Sequence, residues 1–227
     1  AMVDTLVEQG YDCWMMDLRG NRHCKPPLGT SRYSATYDDH YMRDLPAAIE
    51  HIRQNTGQAR VHWIGHSMGG MLLYSYATVH GTEALASGTT LGTPPGFADI
   101  KLKPMQVLVK LVTLLPFLGD PITRSLSILG PIFKISTPFA PINWDNISPD
   151  INFFSMVEYA PPLVIQQMHD WASTGTWHLK EADVDMMEAM PKMDFPLHLI
   201  AGSLDPLATV ADVSALHDSL EHDDTRL

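Results

Sequence analysis

Val61-His62-Trp63-Ile64-Gly65-His66-Ser67-Met68-Gly69-Gly70-Met71-Leu72-Leu73-Tyr74 decides how this chain folds. Val61 to Ile64 is β-branched or aromatic apart from His62, which reads as a buried strand. Met71 to Ala77 reads as a helix. Between them Gly65-His66-Ser67-Met68-Gly69 leaves room only for a sharp turn. Such a turn forces the serine into a strained backbone conformation, and small neighbours let strand and helix pass closely. A G-x-S-x-G match alone is a weak signal. The strand before it and the helix after it make it a nucleophile elbow centred on Ser67.

Working outward, Val3 to Gly10 looks like the end of a helix, with Gly10 as its C-cap. Tyr11-Asp12-Cys13-Trp14-Met15-Met16-Asp17 reads as a strand closed by the turn Leu18-Arg19-Gly20-Asn21. Asp44 and Pro46 predict a helix start, with Asp44 as cap and Pro46 in the first turn, and Asn55-Thr56-Gly57 stops that helix. Strands alternating with helices argue for a parallel sheet covered on both faces. After Leu91-Gly92-Thr93-Pro94-Pro95 the texture changes, with many prolines and apolar residues at helical spacing such as Val107, Leu108, Leu111, Val112 and Leu115. The pattern returns with the strand at Phe195 to Gly202 and a final helix near Ala208. The expected organisation is therefore residues 1–95 as the first part of an α/β core, 96–192 as a helical cap insertion and 193–227 as the second part of the core.

The bulk numbers narrow the function classes. The 227 residues, 45% hydrophobic and 18% charged, suit one well-packed core with an insertion. Acidic residues outnumber basic ones 26 to 15, for a net charge of −11. With no Lys or Arg cluster to neutralise phosphates, nucleic acid is not an expected partner. The two cysteines, Cys13 and Cys24, read as ordinary thiols. Ala1 to Gly10 shows no signal peptide, and the longest apolar run, Val107 to Leu118, is too short to span a bilayer. The compartment stays open, with the cytoplasm the default reading. Oligomeric state is not readable.

An acyl-transfer serine needs a base, an acid to orient that base, and donors for the oxyanion. Strand, elbow and helix resemble those of the α/β-hydrolases, in which the acid follows the serine at the end of a later strand and the histidine comes last. Asp205 fits the acid, at the tip of the loop after Leu199-Ile200-Ala201-Gly202; the competing reading makes it the cap of the helix near Ala208. The Met68 N–H, next after the nucleophile, is the expected oxyanion donor. His217 lies inside the predicted helix and His222 in an acidic run, and both read as solvated surface histidines.

More closely, the chain resembles the acid lipases of that superfamily, the lysosomal and gastric type, and related bacterial esterases. The segments that carry this are Gly10-Tyr11-Asp12-Cys13-Trp14, Arg19-Gly20-Asn21, Tyr41-Met42-Arg43-Asp44-Leu45-Pro46-Ala47-Ala48-Ile49, Gly65-His66-Ser67-Met68-Gly69-Gly70, Asp205-Pro206-Leu207-Ala208 and Asp212-Val213. The resemblance implies an α/β-hydrolase fold, a mostly parallel sheet flanked by helices with a helical cap. It also implies a serine esterase or lipase with Ser67 as nucleophile, Asp205 as triad acid and no cofactor. There are departures. Acid lipases usually have Gln where this chain has Met68, and Ser67 argues against the related polyester synthases, which use cysteine. The family's catalytic histidine and its His-Gly oxyanion segment have no counterpart, so the sequence looks truncated at both ends, and inactivity of this chain by itself is among the expectations.

Phe117, Leu118, Ile122, Phe133 and Ile135 supply apolar side chains suited to a hydrophobic acyl or alcohol group, so the expected partner is a small hydrophobic ester. No histidine pair, neither His62 with His66 nor His169 with His178, has a metal-ligand spacing, and no metal is expected. An acyltransferase on the same fold, or a non-catalytic hydrolase-fold fragment, are the alternatives.

Overall fold

Four parallel strands organise the molecule. β1 (Val61–His66), β2 (Leu85–Leu91), β5 (Leu197–Ile200) and β6 (Thr225–Arg226) lie side by side in the order β1-β2-β5-β6. The computed structural model describes residues 2–21, 23–97, 160–205, 207–221 and 224–227. The sequence-predicted apolar residues Val107 to Leu118, Ile122, Phe133 and Ile135 lie outside these residues, as does His222.

Around the sheet, α1 (Met2–Glu8) opens the chain, and α2 (Tyr37–Asp39) and α3 (Leu45–Thr56) flank a π-turn over His40–Asp44. Gly57 at φ 71° ends α3. α4 (Met68–His80) follows the elbow and packs on β1 and β2. α5 (Pro162–Thr174), the antiparallel ribbon β3 (His178–Leu179) with β4 (Val184–Asp185), and α6 (Met186–Ala189) precede β5. α7 (Val210–Ser219) packs on β5. One apolar cluster runs through all of this, from Met71, Leu73 and Tyr74 of α4 to Leu197 and Leu199 of β5, and on to Tyr37, Trp171, Trp177 and Leu179. Burial pushes the Tyr74 phenol up to about 12, against the opposing effect of its 3.0 Å hydrogen bond to Thr90 of β2. Among the described residues no helix is long and apolar enough to cross a membrane.

The structure corrects three expectations. Tyr11 to Asp17 is not a strand: it joins no ladder, and Met15 is 81% exposed. Its side chains find ring partners instead, Tyr11 edge-on to His62 and Trp14 edge-on to His51. The sheet is parallel and flanked by helices, as expected, and among the described residues only part of one side lies open. Strand side chains alternate sides, and His62, Ile64 and His66 of β1, with His198 and Ile200 of β5, are exposed. Secondly, α3 begins at Leu45 with Pro46 in its first turn, as expected, but the Asp44 side chain makes no capping bond. A helical turn already precedes it, α2, opened by Thr36 in a capping box with Asp39. Pro46 cannot donate an N–H, and the preceding turn widens to a π-turn in which the Leu45 N–H reaches the His40 carbonyl. Finally, residues 178–185 form a short ribbon rather than helix.

Asp44, freed from capping, accepts from Arg19 Nε at 2.8 Å, while Arg19 Nη1 lies 3.1 Å from Asp39. This joint predicts a pH dependence. Burial holds the His40 imidazole below its usual pKa, outweighing its hydrogen bond to the Arg19 carbonyl and the carboxylates of Asp44 and Asp39; Arg19's charge adds to the lowering. A depressed folded pKa means the stability is present above the unfolded value of about 6.5 and is lost as pH falls through the folded one. At Asp39 burial alone would raise the pKa, but bonds from Thr36 and the charges of Arg19 and Arg43 leave it lowered. Its contribution is lost below about pH 4. The urea midpoint is expected to drop between pH 7.5 and 5.5, and His40→Gln, which keeps a donor for the Arg19 carbonyl, to flatten that drop. An equal drop in the variant refutes the assignment.

Candidate active site

The carboxyl ends of the strands bring the candidate residues together. In register, His66 of β1 faces Leu91 of β2, and Leu91 faces Ile200 of β5. Ser67 is the residue after β1, and Asp205 closes the loop after β5. Only β2 separates the two strands. At about 4.8 Å per strand the two loops start within roughly 10 Å of one another.

Ser67 has φ 49° and ψ −114°, and among the described residues only Asp183 shares its positive φ without being glycine. Such a conformation persists only where the surroundings over-determine it. Here both backbone groups of Ser67 are held. Its N–H donates to the Leu91 carbonyl at 3.0 Å, and its carbonyl accepts from the amides of Gly70 and Met71 and from Thr93 Oγ1 at 3.2 Å. A serine before a helix ordinarily caps it with its hydroxyl, yet Ser67 makes no such bond. The side chain is half-buried, and its hydroxyl is left available.

Close passage of strand and helix rests on Gly65 and Gly70. A Cβ on Gly65 would collide with the backbone of Gly69 and Gly70, and one on Gly70 with the Thr93 side chain. A Cβ on Gly69 would meet open space. Gly69 instead offers its carbonyl to Trp63 Nε1 at 3.1 Å. Met68 begins α4, so its N–H lies in the first turn, where amides lack intrahelical partners and point outward. Its side chain packs partly against the core. His66 is exposed at the end of β1.

Asp205 Oδ1 accepts from the amides of Leu207 at 2.9 Å and Ala208 at 3.1 Å. It does not cap α7: Thr209 does, through its bond from the Asp212 amide. The other oxygen, Oδ2, turns towards Gly92, where a Cβ would stand 3.0 Å from it and 3.8 Å from His66 Nε2. Gly92, at φ 51° with its N–H on the Ile200 carbonyl, thus leaves the space in which the carboxylate sits. Among the described residues no histidine bonds Ser67 or Asp205. His217 lies on α7 beside Asp218, at 3.0 Å. His62 binds Ser87, His178 pairs with Asp183, and His169 is buried in α5. No described group of three metal-ligating side chains gathers in one place. Cys13 and Cys24 are free thiols.

Sequence reading missed Thr93, Gly70 and Gly92. All three act through contacts between segments distant in sequence. Only the Gly-Gly pair at 69–70 and the small residues after β2 hinted at them.

A parallel sheet with a strained serine at one strand end and a carboxylate two strands away defines an α/β-hydrolase. The family model described as "alpha/beta hydrolase fold" matches residues 1–117, and the chain belongs to that family. Among its relatives, the gastric triacylglycerol lipase of Mus musculus is 36% identical over 69 residues, 28% of this chain and 18% of that protein. Human lysosomal acid lipase/cholesteryl ester hydrolase is 38% identical over 69 residues, again 28% of this chain and 17% of the relative. The chain thus aligns with less than a fifth of the length of these lipases. Solved structures agree on the fold. The monoacylglycerol lipase of Paleococcus ferrophilus superimposes with a TM-score of 0.60 at 13% identity, over 99% of this chain and 75% of that one. The esterase EaEST from Exiguobacterium antarcticum gives 0.56 at 17% identity, over 93% and 69%.

Proposed function

We propose that this chain carries the nucleophile and the triad acid of a carboxylic ester hydrolase that works through an acyl-enzyme intermediate. The observation that carries the reading is the elbow itself: Ser67 at φ 49° with both backbone groups tied down and its hydroxyl unused. The similarity to lipases and to an esterase supports ester chemistry. In the proposed reaction Ser67 Oγ attacks the ester carbonyl while a histidine takes its proton. The Met68 N–H shares the oxyanion, the alcohol leaves with that proton, and water then releases the acid. Asp205 Oδ2 is the oxygen free to orient the imidazole. β2 and β6 both lie beside β5, so their carboxyl ends are the strand ends that neighbour that carboxylate.

The triacylglycerol and cholesteryl ester names point to a substrate with at least one hydrophobic arm. A series of p-nitrophenyl esters from acetate to palmitate tests this, with kcat/KM expected to rise by about tenfold or more from acetate to a medium chain as methylenes are buried. Strict preference for acetate would remove the lipase-like reading. Running the series with a competing alcohol shows whether acyl transfer, rather than hydrolysis, is the outcome.

A further inference from the structure

Residues 98–159 join two described segments that pack against one another. Phe97 packs its ring 5.5 Å from Trp171 of α5 and 5.7 Å from Trp177, edge-on to the latter. Beside this aromatic stem lies a buried polar hub. Asp38 of α2, 9% exposed, accepts from the Tyr41 hydroxyl at 2.6 Å and the Glu181 amide at 3.3 Å, both on Oδ1. Its Oδ2 accepts from Gln167 Nε2 of α5. Gln167 in turn accepts the Tyr37 N–H at 2.7 Å through Oε1. The buried Tyr37 hydroxyl lies 3.0 Å from Ser75 Oγ on α4, the helix that follows Ser67. A buried carboxylate with three donors and no cation among its hydrogen-bond partners is stable only while every donor stays in place.

We propose that Asp38 is a positioning residue, a carboxylate clamp that fixes α5, through which the chain returns from residues 98–159, against the layer that carries Ser67. Both amide atoms of Gln167 are committed, so the clamp reads polarity as well as shape. The exposed Arg43–Glu181 pair at 2.7 Å closes the same joint but contributes little in water. By holding α5 against α4, the clamp also sets how far α5 stands from an ester held at Ser67. That second part rests on the proposed function; the clamp does not.

A polarity swap tests it. Asp38→Asn sets an amide donor against the Gln167 amide, and Gln167→Glu sets carboxylate against carboxylate. Made together, they restore one donor and one acceptor, leave Oδ1 to Tyr41 and Glu181, and keep an acceptor for the Tyr37 N–H. Each single variant is expected to speed hydrogen exchange in α5 by about tenfold while β1 and β2 stay within about twofold, and the pair to return α5 to within about threefold of the parent. Unchanged α5 exchange in the singles, equal acceleration everywhere, or a double variant as loose as the sum of its parts would overturn the clamp. Should Asp38→Asn not fold, Gln167→Met removes the donor without adding charge and is read in the same way, while refolding of the double variant supports the swap. For the pocket, KM for a medium-chain ester rises several-fold in the singles while fluorophosphonate labelling of Ser67 stays within about twofold. A parallel loss of labelling removes the pocket half of the proposal, and the exchange data decide the clamp even where no ester is turned over.

Discussion

Ser67→Ala is expected to lower kcat/KM on a p-nitrophenyl ester by about 10⁴-fold or more and to abolish labelling by a fluorophosphonate. The substitution isolates the hydroxyl. Alanine meets the same backbone penalty at φ 49° as serine does, and the hydroxyl makes no capping bond whose loss would unfold α4. The ties that hold the turn run through the Ser67 amide and carbonyl to Leu91, Gly70, Met71 and Thr93, and all survive. Far-ultraviolet dichroism and the thermal midpoint should therefore match the parent. Undiminished turnover in this variant, measured on protein that labels in its parental form, would end the serine mechanism. Asp205→Asn gives the companion result. The amide retains an acceptor for the Leu207 and Ala208 amides but would present no negative charge to the proposed imidazole, so turnover is expected to fall by about 10²–10⁴-fold with the loop intact.

What the sequence disclosed follows from how local each signal is. The elbow was legible because strand, turn and helix are contiguous in it, and a serine between glycines at a strand end has one economical conformation. Asp205 was legible as a loop carboxylate after a strand, although its two oxygens have different duties that only the fold separates. Tyr11 to Asp17 misled because alternation and β-propensity describe a surface that suits a sheet, whereas a strand exists only beside another strand. Asp44 misled for a related reason. An aspartate ahead of a proline looks like a cap, and Asp44 does stand at the N-cap of α3, but its backbone is already helical there and its side chain makes no capping bond. Asp44 then serves Arg19, 25 positions away. Thr93 and Gly92 left only the faint hint of small residues after a strand. Their significance is the company of Gly70 and of the Asp205 carboxylate, and no window of sequence holds both partners.

Gly65→Ala is expected to destabilise the protein by about 3 kcal/mol, and Gly69→Ala to leave it unchanged or slightly more stable. The contrast comes from where the added methyl goes. At Gly65 it meets the Gly69 carbonyl carbon and oxygen and the Gly70 nitrogen. These are backbone atoms of the first helical turn, which have no rotamer by which to withdraw, so α4 must slide along β1 or the elbow must open. At Gly69 nothing stands within 4 Å, and alanine gains up to about 1 kcal/mol of helix propensity over glycine. Gly70→Ala falls between them, because its methyl meets Thr93, a side chain that can turn at the expense of its bond to the Ser67 carbonyl. Urea unfolding of the three variants should rank them 65, 70, 69 from worst to best, with the thermal midpoint falling by roughly 2–4 °C per kcal/mol for a chain of this size. Equal tolerance at 65 and 69 would mean that strand and helix do not pass where the serine is placed, and the nucleophile would lose its support.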